Sequence, residues 1–324
     1  MKKGIIGLLL ILAFHAGWGQ ALEQYSQFAT NMYLFNPAAL SLDYGLNLAV
    51  GGKKQWAGFG HAPENYYLMV YGNLNDEMPK DYNVGSMPIG VPHENLKVKS
   101  TLKPERNVVS LGGFIDYAES GAFRFINSQM KVSLSIPYGE RWRVAFGART
   151  GIISVRLVTA RASTLLDPND PTYQQYVRRF EGRGVWEYGA GVMVFDSNIK
   201  FGYSLSNQPA RALATNNSAK DDYRFHHTFI ASYKYNLDES FYLLAGGHME
   251  IRAPEPIFYQ FSLNCYYNDF INAGGGFQAD DQWVVMLGIK LANSLHLGYS
   301  FGMLNNSIKT DSHGSHEAII KYKF

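Results

Sequence analysis

The chain has 324 residues, a formal net charge of +2, and a slightly negative mean hydropathy. The near-neutral charge argues against a nucleic acid partner, and the low hydropathy argues against a bundle of membrane helices. A membrane β-barrel stays open, because only every second residue of its strands faces lipid, while the single cysteine, Cys265, excludes an internal disulfide.

The N-terminus has the pattern of a secretory signal. Two lysines, Lys2 and Lys3, precede an apolar stretch from Gly4 to Phe14, which is far shorter than the roughly 20 residues that a spanning helix needs. Gly17 and Gly19 are the small residues that a signal peptidase requires before the cut. We therefore predict a signal peptide over residues 1–19 and export of the mature chain.

Residues 20–45 form a distinct N-terminal mature segment, rich in aromatic residues and asparagine. Asn36-Pro37 within it is a turn or cap signal. The segment is too aromatic for a solvated tail. We expect it to fold into or against a barrel, as a plug or a seal of the periplasmic mouth.

The rest of the chain, residues 46–324, alternates between apolar and small or polar residues with a period of two. Met130, Val132 and Leu134, for example, alternate with Lys131 and Ser133, which is typical of a strand with one apolar face. The pattern predicts an all-β protein, a transmembrane antiparallel barrel of about 14 strands. The predicted strands are 46–56, 64–73, 107–118, 124–137, 142–157, 184–196, 199–207, 223–236, 240–252, 257–267, 269–278, 281–291, 295–303 and 313–324.

The lengths of the connections test this assignment independently. Outer-membrane barrels have short periplasmic turns and longer outer loops. From the fourth strand on, the even-to-odd connections are short, as in 138–141 and 196–198, and the odd-to-even connections include the long ones, 158–183, 208–222 and 304–312. Residues 74–106 break the rule as a long insertion on the periplasmic side, for which we consider an interaction arm, a plug or a miscounted strand pair.

The last strand carries a further signal of the outer membrane. Ala318, Ile320, Tyr322 and Phe324 share one face of it, and the chain ends on an aromatic residue. Tyr and Trp residues at the ends of the predicted strands suit the interfacial girdles of a barrel. These are Trp56, Tyr71, Tyr117, Tyr138, Trp142, Trp186, Tyr203, Trp283, Tyr299 and Tyr322.

Motifs that carry chemistry give no convincing catalytic, cofactor or metal site. His226 and His227 are adjacent on a strand and face opposite sides. His316 and Glu317 are separated in the same way. A hydrolase would need a nucleophile, a histidine and an orienting group on the wall, and we find no such set. We predict a protein without enzymatic activity or cofactor.

Both ends of the mature chain resemble the PorP/SprF family. The matching elements are Gln-Tyr-Ser-Gln-Phe, then Phe-Asn-Pro-Ala, then Gln-Trp-x-Gly, and at the other end Gly-Tyr-Ser and Ser-His-Glu. We take as family-motif or interaction residues Tyr25, Gln27, Phe28, Asn36, Pro37, Gln55, Trp56, Tyr299, His316 and Glu317.

The resemblance implies an outer-membrane barrel of the type IX secretion system, found with gliding motility and adhesin export. Its expected partners are outer-membrane lipid and either periplasmic secretion-ring proteins or a large secreted adhesin. The alternative is a channel or transporter for small solutes or hydrophobic ligands. A porin should line its lumen with an acidic or basic ring, whereas we predict an inward face that is rich in Gly, Ser, Asn and His and has no such ring.

Overall fold

A computed structural model describes residues 25–74, 106–158, 171, 174, 183–209, 223–252, 256–279, 282–291, 294–305 and 312–324. Fourteen strands form the wall of a closed barrel. They are β1 Leu46–Lys54, β2 Glu64–Asn73, β3 Val108–Ser120, β4 Phe123–Tyr138, β5 Trp142–Leu157, β6 Arg183–Phe195, β7 Ile199–Pro209, β8 Tyr223–Asn236, β9 Phe241–Arg252, β10 Phe258–Tyr267, β11 Ile271–Gln278, β12 Gln282–Leu291, β13 Leu295–Leu304 and β14 Ser315–Lys323.

The wall closes by pairing the first strand with the last. Every strand pairs antiparallel with its neighbours in sequence, and β1 pairs with β14 from Asn47–Lys323 to Lys54–His316. Closure matters in lipid because an open edge would leave backbone N–H and C=O groups without partners. The prediction of a 14-stranded barrel is confirmed, and every predicted strand is found to within about two residues of its bounds.

The two ends of the barrel differ in the length of their connections. One end, the short-turn rim, carries the turns 139–141, 196–198, 237–240 and 268–270, together with the end of β14. In the last of these turns Asn268 and Asp269 both have positive φ, 51° and 53°, as tight antiparallel turns require. The opposite end is the long-loop rim. β2 ends and β3 begins at the short-turn rim, but residues 75–105, most of the insertion predicted between them, lie outside the described residues, and so do residues 1–24.

The faces of the strands follow the predicted alternation. In β4, Met130 is 62% exposed towards lipid, whereas Lys131 next to it is 1% exposed and points into the barrel. The girdle prediction is wrong for Tyr71, which is 1% exposed and faces inward, because its parity in β2 places it on the inner face. Within the described ranges, no helix has the length and apolarity to span a membrane.

Candidate functional site

The described part of the N-terminal segment, residues 25–45, lies inside the barrel and is called here the lumen segment. It consists of a 3-10 turn at Phe28–Thr30, a single-turn helix α1 at Met32–Phe35, and a second 3-10 turn at Pro37–Leu42. Asn36 caps the second turn, because its Oδ1 accepts the N–H of Ala38 at 2.9 Å and a proline follows it. The sequence Asn-Pro-Ala-Ala thus starts a turn, as its composition predicts.

The lumen segment runs from the long-loop half of the barrel to the short-turn rim. At its start, the carbonyl of Tyr25 accepts from Gln260 Nε2 at 3.1 Å, near the long-loop end of β10. At its end, Asp43 accepts from Lys321 Nζ at 3.3 Å, near the short-turn end of β14. The chain therefore crosses the lumen lengthwise before β1 begins.

Apolar side chains of the lumen segment form the core of the barrel. Phe28, Met32, Tyr33 and Leu40 are each at most 3% exposed. They pack with inward-facing residues of six strands, namely Ala49, Tyr67, Met69, Tyr71, Phe114, Ala145, Met193, Phe195 and Ile230. Burial of one large apolar side chain contributes roughly 1.5–3 kcal/mol, so this packing is the main attraction between segment and wall.

Charged side chains of the wall hold the backbone of the lumen segment. Glu317 accepts the N–H groups of Ser26 at 2.6 Å and of Gln27 at 3.3 Å. Lys131 donates to the carbonyls of Tyr33 at 2.8 Å and of Leu34 at 3.2 Å. The Glu317 carboxylate thus accepts from backbone donors, and the Lys131 ammonium donates to backbone acceptors. Both sets are charge-assisted hydrogen bonds, which are stronger than hydrogen bonds between neutral groups.

Asn36 fixes the middle of the lumen segment to the wall. Its Nδ2 donates to the carbonyls of Val192 at 3.1 Å and Tyr203 at 3.2 Å, on the adjacent strands β6 and β7. The approach is possible because Gly191 has no side chain. A Cβ there would come within 2.1 Å of Asn36 Oδ1. At Gly147, a Cβ would come within 2.3 Å of the Ala38 nitrogen.

A histidine–glutamate cluster supports the other side of the lumen segment. The ring of His248 lies 4.4 Å from that of Phe35 and 5.6 Å from that of Phe28. Its Nε2 lies 3.1 Å from Glu250 Oε1, while His226 Nε2 lies 3.2 Å from the other oxygen of the same carboxylate. Arg252 also pairs with Glu250. The buried carboxylate therefore has the Arg252 guanidinium as its counter-charge and two imidazoles beside it, as a desolvated carboxylate needs.

Six of the predicted motif residues meet in the lumen, and four lie elsewhere. Tyr25, Gln27, Phe28, Asn36, Pro37 and Glu317 are all buried there. Gln55 and Trp56 follow β1 at the long-loop rim, where Trp56 has a φ of 48° and its N–H donates to Ser315 Oγ at 3.3 Å. Tyr299 and His316 pair on the outward face, with the Tyr299 hydroxyl 2.7 Å from His316 Nδ1.

The inward face also carries buried charged side chains, among its many serines and asparagines. Lys53, Lys131, Arg149, Glu187, Glu250 and Glu317 are buried on that face. They are far apart in sequence, and only closure of the barrel brings them to one lumen. The sequence pattern that could have predicted these buried charges is a charged residue at an inward position of an alternating strand, as at Lys131. Among the described residues, no three His, Cys, Asp or Glu side chains are placed to hold a metal ion.

Comparison with known families identifies one match over nearly the whole chain. A family described as "Type IX secretion system membrane protein PorP/SprF" matches residues 19–322. No curated protein matches the sequence.

Comparison with solved structures finds outer-membrane barrels. The CymD monoaromatic hydrocarbon channel is similar with a TM-score of 0.51 and 11% identity, over 95% of each chain. The Pseudomonas putida toluene transporter TodX has a TM-score of 0.47 and 11% identity, over 94% of this chain and 95% of its own. Acinetobacter baumannii Omp33 has a TM-score of 0.48 and 9% identity, over 87% and 99%. At these identities the likeness concerns the fold alone.

Proposed function

The chain belongs to the PorP/SprF family of type IX secretion membrane proteins, and we propose that it acts in that system as a docking anchor rather than as a pore or an enzyme. Its barrel holds the protein in the outer membrane. Its rims bind a protein partner, either a component of the periplasmic secretion machinery or a secreted surface adhesin.

The observation that carries this proposal is the occupied lumen. The lumen segment crosses the interior from the long-loop half to the short-turn rim and is fixed at its start, middle and end by Glu317, Asn36 and Lys321. A conducting barrel keeps a water-filled path, whereas here the lumen segment packs against the wall and hydrogen-bonds to it, which supports a closed interior. A barrel with an occupied interior is suited to holding its rims as a binding surface for a protein partner.

The alternative function is a channel for small solutes or hydrophobic ligands. The similarity to CymD supports this alternative only through a shared fold, at 11% identity. A channel function requires the lumen segment to leave or to move, whereas a docking function requires it to stay. This difference makes the two functions separable by experiment.

Photo-crosslinking in living cells tests the docking proposal. A photoreactive phenylalanine analogue replaces Ser197 or Glu239, two exposed residues in turns of the short-turn rim. We expect at least one position to yield a defined adduct with a periplasmic or secreted protein, identified by mass spectrometry. The control position is Ile152, which is 48% exposed on the lipid face and should give none. Absence of protein adducts from both rim positions would contradict a periplasmic docking role.

A further inference from the structure

The short-turn end of the lumen carries a group of inward-facing basic side chains, called here the cationic mouth. Each residue lies within a few positions of the short-turn end of its strand, on the face whose neighbours are buried. The group consists of Lys200, Lys234, Lys290, His296, Lys321 and Lys323.

The arrangement of these residues concentrates positive charge. Lys290 lies directly opposite His296 across β12 and β13, and His296 lies directly opposite Lys321 across β13 and β14. The lysines also lie close enough to act on one another, since Lys234 and Lys321 act on Lys200 and Lys323 acts on Lys290.

Two aspartates act on lysines of the cationic mouth. Asp43 acts on Lys200, Lys290 and Lys321, and Asp269 acts on Lys290. Asp269 also accepts a hydrogen bond from the Tyr242 hydroxyl at 2.6 Å. The five lysines of the cationic mouth outnumber these two aspartates.

The cationic mouth already contains one carboxylate, that of Asp43 at the end of the lumen segment. Asp43 has extended backbone, with φ −106° and ψ 133°, and lies among Lys321, Lys200 and the Tyr71 hydroxyl. Burial opposes its ionisation, but Lys321 and Tyr71 outweigh that effect, so the pKa of the Asp43 carboxyl lies below its ordinary value. An ionised side chain at the end of the lumen segment is thus the ligand that this surface holds within its own chain.

We propose that the cationic mouth binds an acidic, extended segment of a periplasmic protein beside Asp43. The lysines point into the lumen, away from the lipid face, so lipid headgroups are not their partner. They lie on β7, β8, β12 and β14, spread around the opening instead of converging on one point. A chain with several carboxylates matches that spread better than a single small anion does. The inference deepens the docking function proposed above and rests on it.

Binding of a fluorescein-labelled hexaglutamate peptide to the purified full-length protein in nanodiscs tests this inference. We expect the peptide to bind, hexaglutamine not to bind, and added salt to weaken binding through screening. The double substitution Lys200→Gln/Lys290→Gln should weaken binding roughly tenfold, because two charge pairs are removed. The matched control is Lys54→Gln at the opposite rim, where the lysine is exposed, and it should leave the affinity unchanged.

Three outcomes would overturn the inference. These are equal affinity of the double variant and the parent, equal binding of hexaglutamine, and displacement of the peptide by inorganic phosphate at equal charge. Folding of the variants is checked by their heat-dependent shift in gel mobility. The salt dependence of binding is measured on the unsubstituted protein, so this part of the test does not depend on a variant that folds. Because this assay contains no cellular partner, its failure would leave the crosslinking result from the turns intact, and the reverse also holds.

Discussion

Single residues decide whether the lumen segment stays in place, and Glu317 is the clearest case. Its carboxylate is 1% exposed and accepts two backbone N–H groups of the segment. Hydrogen bonds to a charged group contribute roughly 1.5–3 kcal/mol each. A neutral amide of the same shape keeps an acceptor oxygen but loses the charge, so it isolates the electrostatic part.

We expect Glu317→Gln to loosen the start of the lumen segment by about 2 kcal/mol. A cysteine replacing Ala29, in a Cys265→Ser background, should then react faster with a membrane-impermeant maleimide. The control is Glu140→Gln in an exposed turn, which should leave the labelling rate unchanged. An unchanged rate in Glu317→Gln itself would show that the carboxylate does not hold the segment.

Glycine at position 191 makes the close approach of Asn36 possible. A Cβ there would come within 2.1 Å of Asn36 Oδ1, so Gly191→Val should displace the middle of the lumen segment at a cost of about 1–3 kcal/mol. Gly113→Val is the matched control, since a Cβ at Gly113 has nothing within 4 Å. Thermal unfolding followed by gel mobility should show a lower midpoint for the first variant only. Equal midpoints would contradict the tight fit.

At the scale of elements, the strands were predictable and the route of the lumen segment was not. Alternation such as Met130-Lys131-Val132 depends only on neighbouring residues, and the short turns fix which strands pair. Nothing in the sequence states that Lys131 will meet the carbonyls of Tyr33 and Leu34, about a hundred residues earlier. The family-like motifs did locate Asn36 and Glu317, although their patterns do not reveal what those residues bind.

The lumen segment should behave as a separable element that seals the barrel. Deleting residues 20–45 removes the apolar core around Phe28 and Leu40, and single-channel conductance in planar bilayers should rise. A synthetic peptide of residues 25–43, added to the truncated barrel, should lower the conductance again, because its contacts are with the wall. A scrambled peptide should have no effect. Unchanged conductance after the deletion would refute the sealing role.

At the scale of the whole molecule, docking and transport make opposite demands on the interior. Transport through the barrel requires the lumen segment to leave its position, and docking does not. The side chain of Asn36 reaches the site where a Cβ of residue 191 would lie. Cysteines at both positions therefore have Cβ atoms at most about 4.5 Å apart, within the reach of a disulfide.

The double variant Asn36→Cys/Gly191→Cys, in a Cys265→Ser background, should form this disulfide and lock the segment to β6. If the protein is an anchor, cells with the locked form should secrete type IX cargo as well as cells with the reduced form, measured by immunoblotting of the medium. Each single cysteine variant controls for the loss of the Asn36 hydrogen bonds or of the glycine. Secretion that stops on oxidation and returns with a reductant would instead show that the lumen must open, and would favour the channel over the anchor.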